Sequence, residues 1–273
     1  MKKIFKLLVI CMSFIFAFTG CGKEKQSGEN FAEEKIYKIA TDTTYAPFEF
    51  ENDKGELVGI DMELLKEIAA DQGFKYEVNV VGFAAALTAL ETGEADGIIA
   101  GMSITEPRKE KYDMSSPYFD TGVTIGVRAD SGIKSFEDLR GKKVAGKVGT
   151  AACRFAESIS EKYGFEIVQF EESSTMFQDV VYGNTAACFE DYPVLGYEIS
   201  RGLDLIIPFE EVAEPTFYGF AVMKGENKEL LDMFNKGLAN LKANGKYDEI
   251  INRYIKNNFG YLKRGAVFLQ HLF

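Results

Sequence analysis

A single histidine in 273 residues, His271 close to the C-terminus, argues against a histidine-based metal centre or a Ser-His-Asp triad, since both need imidazole at the reacting point. Cysteine is scarce as well: Cys11, Cys21, Cys153 and Cys188 are all there are. The last two permit one disulfide, which an exported location would allow, but they equally suit two buried small hydrophobes, and free thiols are expected. Basic residues are outnumbered, 31 against 42 acidic, and three of the 31 sit in the first twenty positions, which hold no acid. The rest of the chain is therefore strongly acidic and would repel phosphate backbones, so no nucleic-acid partner is expected. Neither terminal apolar run is long enough for an ordinary membrane span.

What is present suits a packed protein. Hydrophobic residues make up 46% and aromatic residues 13%, far from the composition of disordered chains. The length accommodates two lobes of roughly 100 residues each. Residues 1–20 read as an export signal, with Lys2, Lys3 and Lys6 before the apolar stretch 7–18. Phe18-Thr19-Gly20-Cys21 resembles the bacterial lipobox, in which the cysteine receives a diacylglycerol, although such boxes usually carry leucine where Phe18 stands. A polar stretch over 21–35 follows and has the composition of a flexible tether.

From Ile36 onward strand-like and helix-like segments alternate, which predicts α/β architecture with mainly parallel sheets. IYKIAT is expected as a strand, and Asp61 as the cap of a helix MELLKEIAADQ that Gly73 ends. YEVNVV, FAAALTALETG and DGIIAG continue the unit as strand, helix and strand. A second round runs through KKVAGKV, TAACRFAESISEKYG, EIVQF, STMFQDVVYG and AACFED. LDLIIP and YGFAVM are expected as further strands, followed by a helical C-terminal segment. Two complete rounds favour two lobes joined by strand-like crossings near 118–123 and 217–222 over one large doubly wound sheet.

Three segments, ATDTTYAPFEF with GELVGIDMELLKEIA, DGIIAGMSITEPRKEKYDMSSPY, and KVAGKVGTAACRFAES with ACFEDYPV, resemble the extracellular solute-binding proteins for polar amino acids. The resemblance covers about 36–255. It implies a two-lobe periplasmic-binding-protein-like α/β fold with a hinge of two crossover segments, lobe 1 being 36–121 with 218–258 and lobe 2 being 122–217. It also implies a free amino acid as ligand, an ABC transporter permease as partner, a monomer, and no cofactor.

Physical chemistry states what such a site needs. An amino acid loses water from both its carboxylate and its ammonium on burial, so each must meet an opposite charge and hydrogen bonds. By the resemblance, Arg108 grips the carboxylate, for which a guanidinium fork is suited and a lysine is not. Ser103 and the backbone of Ala100 and Gly101 lie near it, and Gly149, Thr150 and Ala151 stand between a strand and a helix, where free N–H groups favour an anion. Asp191 matches the position that accepts from the ligand ammonium, while Tyr45 and Phe83 match the aromatic positions that cover the ligand. Asp42 and Lys147 match glutamine-binding members, one accepting from and the other donating to a neutral amide. Glu190 departs from that pattern, where histidine is usual; it either pairs with Lys147 or faces away. Glutamine is thus favoured over a basic amino acid or cystine.

An enzyme of the cyclohexadienyl-dehydratase kind, on the same fold, is the alternative from another class, with Glu190 and Asp191 as its acid and base. Neighbouring strand residues point to opposite faces, which weakens that pairing. The tail 259–273 receives no role. The lipobox reading has a direct consequence: a fatty-acid probe fed to cells should label the wild-type protein and spare Cys21→Ser, and equal labelling of the two would overturn it.

Overall fold

The computed structural model describes residues 35–209 and 212–255. Cys11, Cys21, the segments 1–20 and 21–34, and the tail with His271 lie outside the described residues.

The described residues open with β1 (Ile36–Thr41), whose buried Tyr37, Ile39 and Ala40 anchor it in the first core. A small antiparallel sheet, β2 (Thr44–Tyr45), β3 (Glu49–Glu51) and β4 (Leu57–Val58), comes next. It is followed by α1 (Ile60–Gln72), β5 (Lys75–Val80), α2 (Phe83–Glu91), β6 (Gly97–Ile98), the short α3 (Glu106–Lys111) and β7 (Tyr112–Met114). The second round is β8 (Phe119–Val127), a 3-10 turn Phe136–Leu139, β9 (Lys143–Lys147), α4 (Ala151–Tyr163), β10 (Glu166–Phe170), α5 (Ser173–Val181), β11 (Ala187–Asp191) and α6 (Tyr192–Ser200). The chain then returns through β12 (Ala213–Tyr218) and β13 (Ala221–Met223) to α7 (Lys228–Ala243) and α8 (Lys246–Ile255).

Two five-stranded sheets result, in the orders β5-β1-β6-β13-β7 and β10-β9-β11-β8-β12. Two separate sheets exclude the single doubly wound sheet. Each has a parallel half, β5-β1-β6 or β10-β9-β11, as the βαβ units require. The other half of each is antiparallel, so mainly parallel sheets were too simple an expectation. The cause is connectivity: β8 and β13 enter their sheets from the other sheet, without a covering crossover helix to turn them parallel.

The crossings between sheets are short. Residues 115–118 and 219–220 lie side by side, with the Ser115 N–H donating to the Phe220 carbonyl at 2.8 Å, the Phe220 N–H to Ser115 Oγ at 2.9 Å, and the Tyr118 N–H to the Tyr218 carbonyl at 2.9 Å. Val123, expected near a crossing, lies within β8, and Val222 within β13.

Other expectations are corrected locally. LDLIIP forms no strand; Ile206 makes only a single bridge to Val127, because β12 already pairs with the rest of that β8 edge. Asp61 does not cap α1. The cap position belongs to Gly59, and Asp61 is the second helical residue, fully buried and turned toward Gly101 and Tyr118. Gly73 does end α1, in the left-handed conformation, its N–H on the Ala69 carbonyl. Cys153 and Cys188 are free, buried thiols.

The joint before α1 is a tight turn. Gly59 has φ +135°, and a Cβ placed there would lie 2.1 Å from the Phe48 carbonyl oxygen, which also accepts the Asp61 N–H at 2.9 Å. Only glycine combines that backbone with that contact. Gly59→Ala is expected to lose at least about 2 kcal/mol of unfolding free energy. Urea denaturation reads the loss, and an unchanged midpoint would show that the joint can shift.

Candidate functional site

The carboxyl ends of parallel strands, where side chains and loop backbone converge, are the usual ligand edge of α/β sheets. In this chain β1 delivers Asp42, β6 delivers Ala100, Gly101 and Ser103, β9 delivers Lys147, and β11 ends on Asp191. All of the ligand residues expected from the sequence, from Asp42 through Tyr45, Phe83 and Arg108 to Thr150, Ala151 and Asp191, line one small cavity. Glu49 is an addition to that set.

Asp42 and Lys147 make a buried ion pair between the sheets, and Lys147 also donates to Thr44 Oγ1 at 3.1 Å. Each of the two is at most 4% exposed in its side chain, so each depends on the other for charge compensation. The Asp42 carboxylate further accepts the Thr43 N–H at 2.6 Å.

Arg108 comes from α3, a helix of six residues beginning with Glu106-Pro107. Pro at the first turn presets the helical φ, but so short and charged a segment carries no apolar period, which is why the sequence shows only a charged run. The guanidinium is buried, donates to the Ser103 carbonyl at 2.8 Å and to the Gly149 carbonyl at 3.1 Å, and lies 5.3 Å from the centre of the Phe83 ring. The second of these bonds reaches across to the other sheet. Burial, with nearby Arg154, lowers its pKa to about 10, so it stays cationic at neutral pH.

Asp191 faces it from the second sheet's side. Its Oδ2 accepts the Tyr218 hydroxyl at 2.7 Å and the Ser103 hydroxyl at 3.4 Å, and the Tyr45 hydroxyl lies 3.4 Å from that of Tyr218. Burial pushes its pKa up, opposed by the Tyr218 and Tyr45 hydroxyls and by Arg108. Thr150 caps α4, accepting the Cys153 N–H at 3.1 Å and donating to the Lys147 carbonyl at 2.8 Å. Its hydroxyl is therefore spent on the helix, and what α4 presents to the cavity is its N-terminal end, favourable to an anion.

Gly101 has φ +50°, and a Cβ there would lie 2.5 Å from Tyr45 Cε1. Glycine is what lets the Tyr45 ring close against this strand end. The Gly101 N–H donates to Asp61 Oδ2 at 2.8 Å, which holds the turn in place.

The ambiguity at Glu190 resolves to facing away. Its Oε1 accepts the Asp191 N–H at 2.8 Å and its Oε2 the Ser173 hydroxyl at 3.0 Å, and it does not line the cavity. Burial and the neighbouring Asp191 charge push its pKa up to about 7. Glu190 and Asp191 thus point into different surroundings and do not form an acid and base across one reacting group.

Four residues of this network escaped sequence reasoning: Glu49, Asp61, Tyr118 and Tyr218. The available signal was an acid inside each of two apolar stretches, APFEF and LVGIDM. The two tyrosines fall in the expected crossing segments near 118–123 and 217–222, where they received no site role.

Comparison with known proteins shows the family and the fold. The family described as bacterial extracellular solute-binding proteins, family 3, matches residues 37–257. The arginine-binding extracellular protein ArtP of Bacillus subtilis is 31% identical over 258 residues, 93% of this chain and 98% of its own. The ABC transporter glutamine-binding protein GlnH of the same organism is 31% identical over 280 residues, 94% of this chain and 99% of its own. Among solved structures, an ancestral arginine-binding protein bound to glutamine is 36% identical with a TM-score of 0.73, covering 81% of this chain and 97% of that one.

Proposed function

Because this chain belongs to the bacterial extracellular solute-binding proteins of family 3, we propose that it is the substrate-binding lipoprotein of an amino-acid ABC importer, anchored through Cys21. In this reading lobe 1 (36–121 with 218–258) and lobe 2 (122–217) close on a free polar amino acid and hand it to the permease. The chain acts as a monomer and performs no chemistry on its ligand.

The observation that carries the reading is charge of opposite sign brought to one cavity from opposite sheets. Arg108, with the N-terminal end of α4 beside it, suits a carboxylate, and Asp191 suits an ammonium. A zwitterion then satisfies both ends only when the lobes meet, so ligand binding favours the closed arrangement through contacts that the open one lacks.

For the side chain, the mutual neutralisation of Asp42 and Lys147 supports glutamine. An amide has both a donor and an acceptor to offer such a pair, and needs no net charge from it. A cationic side chain would meet Lys147 in a dehydrated cleft. Arginine is the second reading, favoured by a further carboxyl, Glu49, in the cavity wall and by the arginine-binding relative.

Arg108→Ala and Asp191→Ala should each weaken amino-acid binding by about 100-fold or more, because each leaves a buried ligand charge unpaired. Calorimetric titration with near-normal affinity in either variant would remove that residue from the site. Titration of ligand-stripped protein with glutamine, glutamate, arginine, lysine, histidine and cystine decides the side chain. Glutamine is expected to bind most tightly; tight arginine or lysine binding with none for glutamine would reverse the assignment.

A further inference from the structure

Glu49 lines the cavity and has no part in the glutamine reading. It begins β3, opposite Tyr45 of β2, and is fully buried. Neither of its carboxyl oxygens meets a donor among the described residues. The same holds for Oδ1 of Asp61, whose Oδ2 accepts the Gly101 N–H and the Tyr118 hydroxyl, each at 2.8 Å. The two carboxyls lie within hydrogen-bond reach of each other.

Two ionised carboxylates so placed would repel and would leave three buried oxygens without hydrogen. One proton between them removes the repulsion and satisfies an oxygen on each. Asp61 has two donors stabilising its charge, and Glu49 has none, so the proton belongs to Glu49.

We propose, resting on the amino-acid reading of this cavity, that Glu49 carries a proton in the ligand cleft, donated to Asp61, and that this proton selects ligands by charge. A ligand with a neutral side chain binds with the proton in place. One with a cationic side chain binds as the Glu49 O–H breaks and its proton passes to the buffer, leaving a carboxylate for the cation.

The surroundings support this. Burial first, then the charges of Asp61 on α1 and Asp42 after β1, hold Glu49 well above the usual carboxylate range, with Lys147 of β9 opposing. Lys147 is already engaged by Asp42. Asp61 is pushed up to about 6, chiefly by burial, against the pull of Gly101 and Tyr118. The Tyr118 hydroxyl on the crossing segment is itself held far above its usual range by burial and by Asp61 and Glu49, and so stays neutral. The sign follows: an acid protonated in the free protein and ionised beside a bound cation makes cation affinity rise with pH, by about tenfold per unit for one proton. A neutral ligand gains nothing from that rise.

Two measurements on the full ligand-stripped chain test the proposal. Carbon-13 NMR of protein labelled at glutamate side-chain carboxyls, with Glu49 identified through Glu49→Gln, should show Glu49 protonated at neutral pH. Calorimetry with arginine in phosphate and in Tris should give close to one proton released per ligand. Arginine affinity should climb about tenfold per pH unit below the Glu49 midpoint, and glutamine should show neither effect. Both effects should vanish in Glu49→Gln; the wild-type proton count and pH slope need no variant if that protein does not fold. An ionised Glu49 in the free protein overturns the proposal, as does arginine binding without proton release. Arginine failing to bind at any pH while glutamine binds overturns the charge selection alone, and failure of both ligands overturns it together with the amino-acid reading.

Discussion

Asp42 and Lys147 are buried at the ends of strands in different sheets, and neither sheet alone could bury its own charge without a large desolvation penalty. Their pairing therefore exists only where the two strand ends are brought face to face. The same holds for the guanidinium of Arg108, which spans from the Ser103 carbonyl to the Gly149 carbonyl. The cavity is the place where these charges meet, and its lining is polar because the sheet ends must compensate one another. A dipolar ligand fits into that compensation, supplying one more pair of opposite charges to a surface already arranged in opposite signs.

The crossings tie this site to the junction between sheets. Tyr218 closes β12 just before one crossing and donates to Asp191 in the cavity. Tyr118 ends the other crossing and donates to Asp61, which in turn holds the Gly101 turn against the Tyr45 ring. The Phe48 ring packs edge-on against both Phe119 and Tyr218, at 4.9 and 4.8 Å between centroids, and fills the space behind the two crossings. Tyr218 is thus one hydrogen bond away from a residue that lines the cavity, and Tyr118 two.

Much of this was legible in the chain. The two rounds of strand and helix announced themselves by period and by glycine stops, as at Gly73, and the segments bearing Asp42, Arg108, Lys147 and Asp191 carried a family resemblance specific enough to name the cavity's lining. Short elements were not legible. The six residues of α3 and the two- and three-residue strands of the small sheet are too brief for any periodicity, and their form depends on what they pack against. LDLIIP looked like a strand because it is apolar; β12 had already taken the edge it needed.

By itself the sequence determined which residue types stand at the strand ends, the acidic balance and the single histidine. Those are properties of composition and order along the chain, and no packing alters them. Only the tertiary structure decided where Asp61 and Glu190 turn, because a strand or helix pattern names two possible faces and long-range contact chooses between them. It turned Asp61 from an expected helix cap into the buried support of Gly101, and aimed Glu190 at Ser173 instead of the cavity. It also set Glu49 against Asp61, twelve residues apart in the chain. Two acids in apolar surroundings have no meaning until folding removes their water and couples their charges.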